Sequence, residues 1–497
     1  MNSTPHRPMR ARAAWLLPIV AAFAACSGSP PPQAPVQMPE GSPDAWRADA
    51  THKAEPEPLP LDWWRIFGDP ELDAHVEAAL QHNKSLQATA ARVLAANEQA
   101  IIQGAAGLPQ VDAGLDATRS RRVFVGFPFG TGGGVPSNTA TILSANLSIR
   151  WELDLWNRLA SAEAAALADA QAASADFAAA QTSLIAQVCK VHFALVEARE
   201  QLRLAESTER AFAATAEDVR DRFRRGVRPA LDAWQSQTSL ATAQADVARR
   251  RQTLGVVARQ LETLMGRYPS AAATASGTLV RELPAIPAGL PAQLLSRRPD
   301  LAAAERRLAA AGCRVDSARA ALYPRLSLTA SGGTNSSDAG DLVDDDFRVW
   351  SIGSNLLQPI FRGGALRAEV RRNEAAQFQA IADYGALSLR AFAEVENALD
   401  GMRWLQEQQQ AVRAAATASA RARDLARERY QSGLADFLTV QDSQQRAFVA
   451  ESSLLTVQRL CIDNRIDLVL ALGGGFETVA PNIEATPAAT TAKKEQP

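Results

Sequence analysis

The chain has 497 residues, more than one small hydrophobic core requires, and length alone leaves open whether it forms one elongated unit or two large ones. Its 52 basic and 54 acidic residues give a net charge of -2, so there is no basic excess to attract nucleic acid. The four cysteines, Cys26, Cys189, Cys313 and Cys461, lack the CxxC spacing of zinc or redox sites, and the last three are predicted to be inert buried thiols.

The N-terminal segment has the pattern of a secretory signal. Arginines within the first twelve residues precede an apolar run, 13–25, that is shorter than the roughly 20 residues of a membrane-spanning helix. The run ends in Phe-Ala-Ala-Cys26, which resembles a bacterial lipobox. This resemblance implies that the signal peptide 1–25 is removed and that Cys26 carries the covalent lipid; the following Ser27 resembles signals sorted to the outer membrane. The alternative is an ordinary secretory signal followed by a chance cysteine.

Polar segments flank the main body of the chain. Residues 26–60 begin with Cys-Ser-Gly-Ser-Pro-Pro-Pro and cannot bury a core, so they are predicted to form a lipidated, proline-rich tether. Residues 476–497 are predicted to form a disordered tail. The folded body is therefore expected between residues 61 and 475.

Four segments of the body alternate apolar and polar residues. No segment after residue 26 has enough consecutive apolar residues for a transmembrane helix, and the other structure that crosses a membrane is a β-barrel. Each segment alone also fits a half-exposed strand of a soluble sheet. They form two pairs, however, and each pair is joined by a long polar loop, 126–138 or 332–346, as in membrane barrels. The alternating segments are 111–118, 141–153, 325–330 and 347–357.

The strand around Asn146 shows the alternation most clearly. Leu143, Leu147 and Ile149 are predicted to contact lipid, whereas Ser144 and Ser148 face the lumen.

The residues between the strand pairs predict unusually long helices. Residues 158–225 contain no proline or glycine and are rich in alanine, glutamate, glutamine, arginine and leucine. At 1.5 Å per residue they form a helix of about 100 Å. Apolar positions from Leu184 to Phe223 are spaced alternately by four and three residues, with one interruption at Glu209, which indicates the seam of a coiled coil.

The sequence also repeats itself. The residues around Gly226 parallel those around Gly433, and Gly266 and Gly473 follow 40 residues after each. Each half is predicted to run helix, strand, loop, strand, long helix, turn and helix. The two predicted repeats are residues 61–270 and 271–475.

Four strands cannot enclose a membrane barrel, since the smallest barrels have about eight, so several copies must share one. Three motifs resemble the TolC-type outer-membrane factors, and the nearest match is the lipoprotein branch, NodT/OprM-like. The motifs are Trp-Glu-Leu-Asp-Leu-Trp-Asn-Arg at 151–158, Arg-Arg-Pro-Asp-Leu-Ala-Ala-Ala-Glu-Arg at 297–306, and the run 430–442.

The resemblance implies a mainly α-helical fold with membrane β-strands. A homotrimer would form an α-helical barrel continuous with a shared 12-stranded transmembrane β-barrel, with a collar that includes residues 61–80, 281–295 and the C-terminal region. The implied function is the outer-membrane channel of a tripartite efflux system that exports small molecules such as drugs. Its partners would be outer-membrane lipid, a periplasmic adaptor (membrane fusion) protein and an inner-membrane pump of the resistance-nodulation-division class.

The resemblance also implies a periplasmic gate where the paired helices turn. Matching motif positions place Tyr430, Leu438 and Asp442 at the constriction, and Asp232 lies near the corresponding bend of the first repeat. In a trimer, Asp442 would form a ring of three carboxylates that favours cations. The alternative is that Asp442 is a solvated carboxylate on a helix surface.

Two gate positions depart from the family pattern. Thr439 stands where some relatives have a second aspartate, and Ala435 where some have arginine. The resulting expectation is a gate that depends less on salt bridges and more on a ring of Leu438 side chains.

Other classes of function fit less of the sequence. An enzyme would need a cluster of acid, base or nucleophile, but His75, His82 and His192 lie apart on predicted helices without metal spacing, and no cofactor is implied beyond the lipid on Cys26. A structural coiled-coil lipoprotein would explain the helices and the anchor but not the paired strands. Within the channel class, a type I protein-secretion channel remains the alternative to small-molecule efflux.

Overall fold

The computed structural model describes residues 46–47, 60, 62–125, 136–279, 294 and 297–475. Cys26, the predicted signal peptide and the predicted tail lie outside the described residues, as do most of the tether and of the collar segment 281–295. The chain forms two compact units. The described parts of the first lie in Ala95–Ala170 and Arg306–Ile381, and those of the second in Pro35–Leu94, Gln171–Glu305 and Ala382–Pro497.

A four-stranded antiparallel sheet is the main feature of the first unit. Its strands are β1 (Gln110–Val123), β2 (Ser137–Leu153), β3 (Arg325–Ser336) and β4 (Arg348–Leu357), in the order β1–β2–β3–β4. All four alternating segments are therefore strands, as predicted, although β4 begins one residue later. The pairing of β2 with β3 along Leu143–Leu153 joins the two predicted pairs into one sheet.

The strand register places most of the large apolar residues of the four strands on one face. Paired residues of antiparallel strands project to the same side, so each row across the sheet shares a face. Two rows of the apolar face are Val111, Ile149, Ala330 and Ile352, and Ala113, Leu147, Gly332 and Trp350. A row of the opposite face consists of Asp112, Ser148, Ser331 and Ser351. The sheet thus has one mainly apolar and one mainly polar face, as predicted, although Ile142, Val349 and Leu357 lie on the polar face.

Two tryptophans of the motif at 151–158 fasten the end of β2 to its neighbours. Trp151 Nε1 donates a hydrogen bond to the Gly107 carbonyl at 2.9 Å, and Trp156 Nε1 donates to the Pro324 carbonyl at 2.8 Å. The Trp156 ring also stacks on Tyr323, with 5.0 Å between ring centroids. Because Gly107 lies three residues before β1 and Pro324 directly precedes β3, the motif fixes where three strands meet their helices.

Seven α-helices lie among the described residues. The short helices are α1 (Pro70–His82), α2 (Lys84–Ala105) and α5 (Pro299–Ala320). The long ones are α3 (Arg158–Arg224), α4 (Ala230–Leu264), α6 (Ala365–Gln431) and α7 (Phe437–Ala471). Helices α3 and α6 each have 67 residues, and α4 and α7 each have 35.

Glycines mark the turns and ends of the long helices. Gly226 and Gly433 lie in the turns after α3 and α6, with φ of 74° and 76°. Gly266 and Gly473 end α4 and α7, with φ of 69° and 100°. This left-handed backbone is unfavourable for other residues, so the four predicted glycine positions are explained by the turns they make.

The core of the second unit is formed by large side chains from several helices, among them Trp63, Phe193, Leu261, Ile462 and Ile466. Two of the three predicted buried thiols, Cys189 and Cys313, are buried, and Cys461 is half-buried.

One described helix, α3, has a stretch long and apolar enough to cross a membrane by length and composition. The expectation that no such segment follows residue 26 is therefore wrong by that criterion. The helix is rich in alanine, which is apolar but small, and 56% of the stretch is buried within the protein, as in a core helix.

Candidate functional site

The turn between α6 and α7 packs against the first helical hairpin through a small apolar cluster. Tyr430, only 3% exposed, packs with Val219 of α3 and with Phe437 and Val440 of α7. Ala233 of α4 lies against the same cluster. The bends of the two hairpins are therefore joined around one buried tyrosine.

Two arginines of the first hairpin cover the Tyr430 ring. The Cζ atoms of Arg222 and Arg228 lie 4.8 and 5.3 Å from the ring centroid, within range of a cation–π interaction. Arg222 also pairs with Asp218 at 3.1 Å, and Arg228 with Asp232 at 4.0 Å. Two of the predicted gate residues, Asp232 and Tyr430, are thus brought together through Arg228.

The environment keeps the Tyr430 side chain a neutral phenol. Burial raises its pKa above the ordinary value, and the two nearby arginines do not cancel that effect. The hydroxyl has no hydrogen-bond partner among the described residues. Tyr430 therefore contributes to the contact between the hairpins through its ring and not through a hydrogen bond of its hydroxyl.

Leu438 and Asp442 lie elsewhere, one turn apart on the exposed side of α7. Both line an open groove of about 690 Å³ whose other walls come from α3 and α4, including Phe212 and Thr238. The Asp442 carboxylate pairs with Arg446 at 2.8 Å, and both side chains are well exposed. The structure therefore separates the four predicted residues: Tyr430 is buried with the half-buried Asp232 near it, whereas Leu438 and Asp442 are exposed.

The sequence does not mark Arg222 and Arg228 as site residues, because the run around Gly226 that contains them indicates only the internal repeat. Ala435, one of the departures from the family pattern, packs against the Tyr430 cluster. The positive charges next to Tyr430 come instead from Arg222 and Arg228 of the first hairpin.

Thr439, the second departure from the family pattern, donates its backbone N–H to Asp436 at 2.8 Å, so Asp436 caps the start of α7.

Two of the histidines lie together, so the prediction that they are scattered is wrong for this pair. His192 is fully buried; its Nε2 lies 3.0 Å from Asp69 Oδ2 and its Nδ1 3.1 Å from His75 Nδ1. Sequence could not reveal this contact, because 117 residues separate the two histidines. Among the described residues no cluster of three or more side chains is suited to hold a metal ion. Asp69, His192 and His75 thus form a network of polar contacts that links α1 to α3.

We expect this network to make the protein less stable as the pH falls below about 6.5. Burial lowers the pKa of His192 despite the opposing Asp69 carboxylate, and burial also lowers the pKa of His75. The unfolded chain, with histidine pKa values near 6.5, therefore binds more protons than the folded chain below that pH, so acid favours unfolding. The melting temperature measured from pH 8 to pH 5 should fall over the acidic part of this range.

The matched variants are His192→Gln and His82→Gln, because His82 is an exposed residue at the end of α1. His192→Gln should flatten the pH dependence of the melting temperature, whereas His82→Gln should retain it. Equal pH profiles for the two variants would remove the buried pair as the cause.

The fold and the bend define a class of protein. A sheet with one mainly apolar and one mainly polar face, in a chain that also has helices of up to 67 residues, agrees with the predicted class of outer-membrane channels. Its paired helical hairpins meet at a bend where the resemblance to the TolC-type factors implies a gate.

Comparison with known proteins gives the particular family. The family model for the outer membrane efflux protein matches residues 75–267 and 290–474. The pyoverdine export outer membrane protein OpmQ of Pseudomonas putida is 33% identical over 467 residues, which cover 94% of this chain and 98% of the relative. The toluene efflux pump outer membrane protein TtgF of Pseudomonas putida is 31% identical over 452 residues, covering 90% and 93%. The chain belongs to the outer membrane efflux protein family.

A solved structure agrees with this assignment. The open state of the MtrE outer membrane channel of Neisseria gonorrhoeae matches with a TM-score of 0.77 and 27% identity, covering 89% of this chain and 98% of that one. The fold is therefore that of the TolC-like outer-membrane channels, mostly helical with some strands. The predicted resemblance is confirmed: the protein is an outer-membrane efflux protein, in a family of channels rather than enzymes.

Proposed function

We propose that three copies of this chain form one channel. The sheet of one chain has four strands, with β1 and β4 at its edges, and so few strands cannot close a barrel. Unpaired edges of this kind bind further strands. Three copies supply three times four, or twelve, strands, and a closed ring leaves no edge unpaired.

The single observation that carries this proposal is the exposed apolar face of the sheet. Leu115, Trp350 and Ile352 on that face are 82%, 78% and 79% exposed in one chain. Soluble proteins seldom expose so many large apolar side chains together, whereas lipid covers them in a barrel.

The height of the apolar face also fits a membrane. On β2 the apolar positions run from Leu143 to Leu153, ten steps that span about 33 Å along a strand. A strand tilt near 40° reduces this length to about 25 Å, the height of the apolar band of membrane barrels.

The channel's task in this proposal is the outer-membrane step of a tripartite efflux system for small molecules. Relatives named for export of pyoverdine and toluene favour small molecules over proteins as cargo. The partners are a periplasmic adaptor protein and an inner-membrane pump of the resistance-nodulation-division class. The protein hydrolyses nothing itself and needs no cofactor.

The proposed gate consists of two parts. Tyr430 and Asp232, linked by Arg228, hold the two hairpins of one chain together, and Leu438 and Asp442 of three chains line the constriction. The equal lengths of α3 and α6, and of α4 and α7, support the proposal that the chain consists of two repeats, 61–270 and 271–475.

Purification of the full chain in detergent tests the assembly. We expect a trimer that migrates more slowly in gels before heating than after, with a β-sheet signal in circular dichroism, and that forms channels in planar bilayers. A monomer that forms no channels would contradict the proposal. If the neighbouring genes encode a type I protein-secretion system instead of an efflux pump, the assignment of small molecules as cargo would be wrong.

Cys26, which lies outside the described residues, is proposed to anchor the mature protein through lipid. We expect mass spectrometry of the mature N-terminus to find acylated Cys26. Cys26→Ser should reduce the amount of protein in the outer membrane more than it reduces the activity of each inserted channel, because the barrel is a second anchor. An unmodified N-terminus at another residue would contradict lipidation.

A further inference from the structure

The end of the sheet away from the helices carries a basic patch on its apolar face. Beyond Ala117 the alternation of β1 continues with Arg119 and Arg121, which share the face of Ala117 because they lie two and four residues further along the strand. Their partners on β2 are Thr141 and Thr139. Both arginines are exposed, and neither forms an ion pair with an acidic residue in the part of the chain that the structure describes.

The position of the patch corresponds to the surface of the membrane. The strands join their helices at Gln110 and Leu153, so the patch lies at the opposite, loop end of β1. In the proposed barrel this end faces the exterior of the cell, where barrels carry their longer loops. Arg119 lies about 7 Å along the strand beyond Ala117, which with Leu143 forms the last apolar row. This depth is that of lipid head groups in the outer leaflet.

The chemistry of the patch suits phosphate. A guanidinium group donates two parallel hydrogen bonds to phosphate oxygens, and Arg119 and Arg121 project side by side about 7 Å apart. The Thr139 and Thr141 hydroxyls beside them supply further donors. Arg121 already donates to the Ser137 hydroxyl at 3.1 Å, which holds its side chain along this face.

We propose that Arg119, Arg121, Thr139 and Thr141 bind the phosphate groups of the phosphorylated glycolipid that forms the outer leaflet of the outer membrane. The proposal rests on the barrel orientation proposed above. It assigns the patch to a lipid that stays bound at the barrel wall, not to exported cargo, because cargo passes along the opposite face.

The chain offers a matched control at the next residue. Arg122 pairs with Asn138 and lies on the opposite, polar face of the sheet, at the same end of β1. A glutamine substitution there removes the same charge from the same strand but leaves the lipid-facing patch unchanged.

Native mass spectrometry of the full-length protein tests the proposal, with diphosphoryl lipid A and fully dephosphorylated lipid A as probes. We expect wild type to retain the diphosphoryl form about tenfold better than the dephosphorylated form, and the double variant Arg119→Gln/Arg121→Gln to lose that preference, as expected for charge-assisted hydrogen bonds. Arg122→Gln should behave as wild type. An unchanged preference in the double variant, or an equal loss in Arg122→Gln, would overturn the site.

Two further measurements are needed. One distinguishes lipid phosphate from free phosphate, and the other distinguishes failure of the lipid site from failure of the proposed barrel. If inorganic phosphate at millimolar concentration displaces diphosphoryl lipid A completely, the patch binds free phosphate and the lipid assignment is wrong. If wild type inserts into vesicles and conducts ions but does not distinguish the two lipids, only the lipid site fails. Failure of wild type to insert would instead contradict the barrel.

Discussion

Leu147→Arg is expected to abolish insertion and trimer assembly, whereas Ser148→Arg at the next position leaves both intact. Leu147 lies midway along the apolar positions of β2, in the row that contains Ala113 and Trp350. An arginine near the bilayer midplane costs about 2 to 4 kcal/mol, and a trimer carries this cost three times. The measurement is the fraction of heat-modifiable trimer in isolated outer membranes.

Ser148 provides the control, because it lies opposite Asp112 and Ser331 on the polar face of the sheet. In the proposed barrel, an arginine there enters the water-filled interior next to a carboxylate. Leu143→Arg and Ile149→Arg should resemble Leu147→Arg, with smaller losses nearer the membrane surfaces. Equal damage from Leu147→Arg and Ser148→Arg would contradict the assignment of faces and with it the barrel.

The strands and long helices could be predicted because their signals are local. Alternation with a period of two identified β2 and the face of Leu147, and the absence of proline and glycine after Arg158 identified α3. The pairing of β2 with β3 has no such signal, since Leu153 and its partner Leu326 are far apart in sequence.

The contacts at the bend were harder to predict for the same reason. The position of Tyr430 was found by its motif, but its burial between Arg222 and Arg228 depends on how two hairpins pack. His75 and His192 gave no sequence signal of their contact either. Motifs therefore located candidate residues, whereas three-dimensional packing determined which of them touch.

Opening of the gate is the second large effect we expect. Leu438 is 54% exposed on α7, and in the proposed trimer three such side chains narrow the pore. Leu438→Ser shortens each side chain and makes it polar, so it should raise single-channel conductance severalfold in planar bilayers and sensitise cells to vancomycin, which normally fails to cross the outer membrane. The control is Leu434→Ser, since Leu434 is also exposed but lies in the turn before α7. The same conductance change in both variants would assign the effect to a loosened bend instead of the Leu438 ring.

Ion selectivity then tests Asp442 within the same gate. Three carboxylates in a narrow pore attract cations, so Asp442→Ala should lower the cation-to-anion permeability ratio about threefold or more. A threefold change corresponds to a potential energy of about one kT, and clefts lined by charge of one sign create potentials of several kT. It should also weaken block by multivalent cations added on the periplasmic side. Arg446 pairs with Asp442 one turn along α7, so Arg446→Ala should raise the ratio instead. Reversal potentials under a salt gradient measure both changes. Unchanged selectivity in both variants, with the trimer intact, would leave Asp442 and Arg446 as an ordinary ion pair on the surface of a helix.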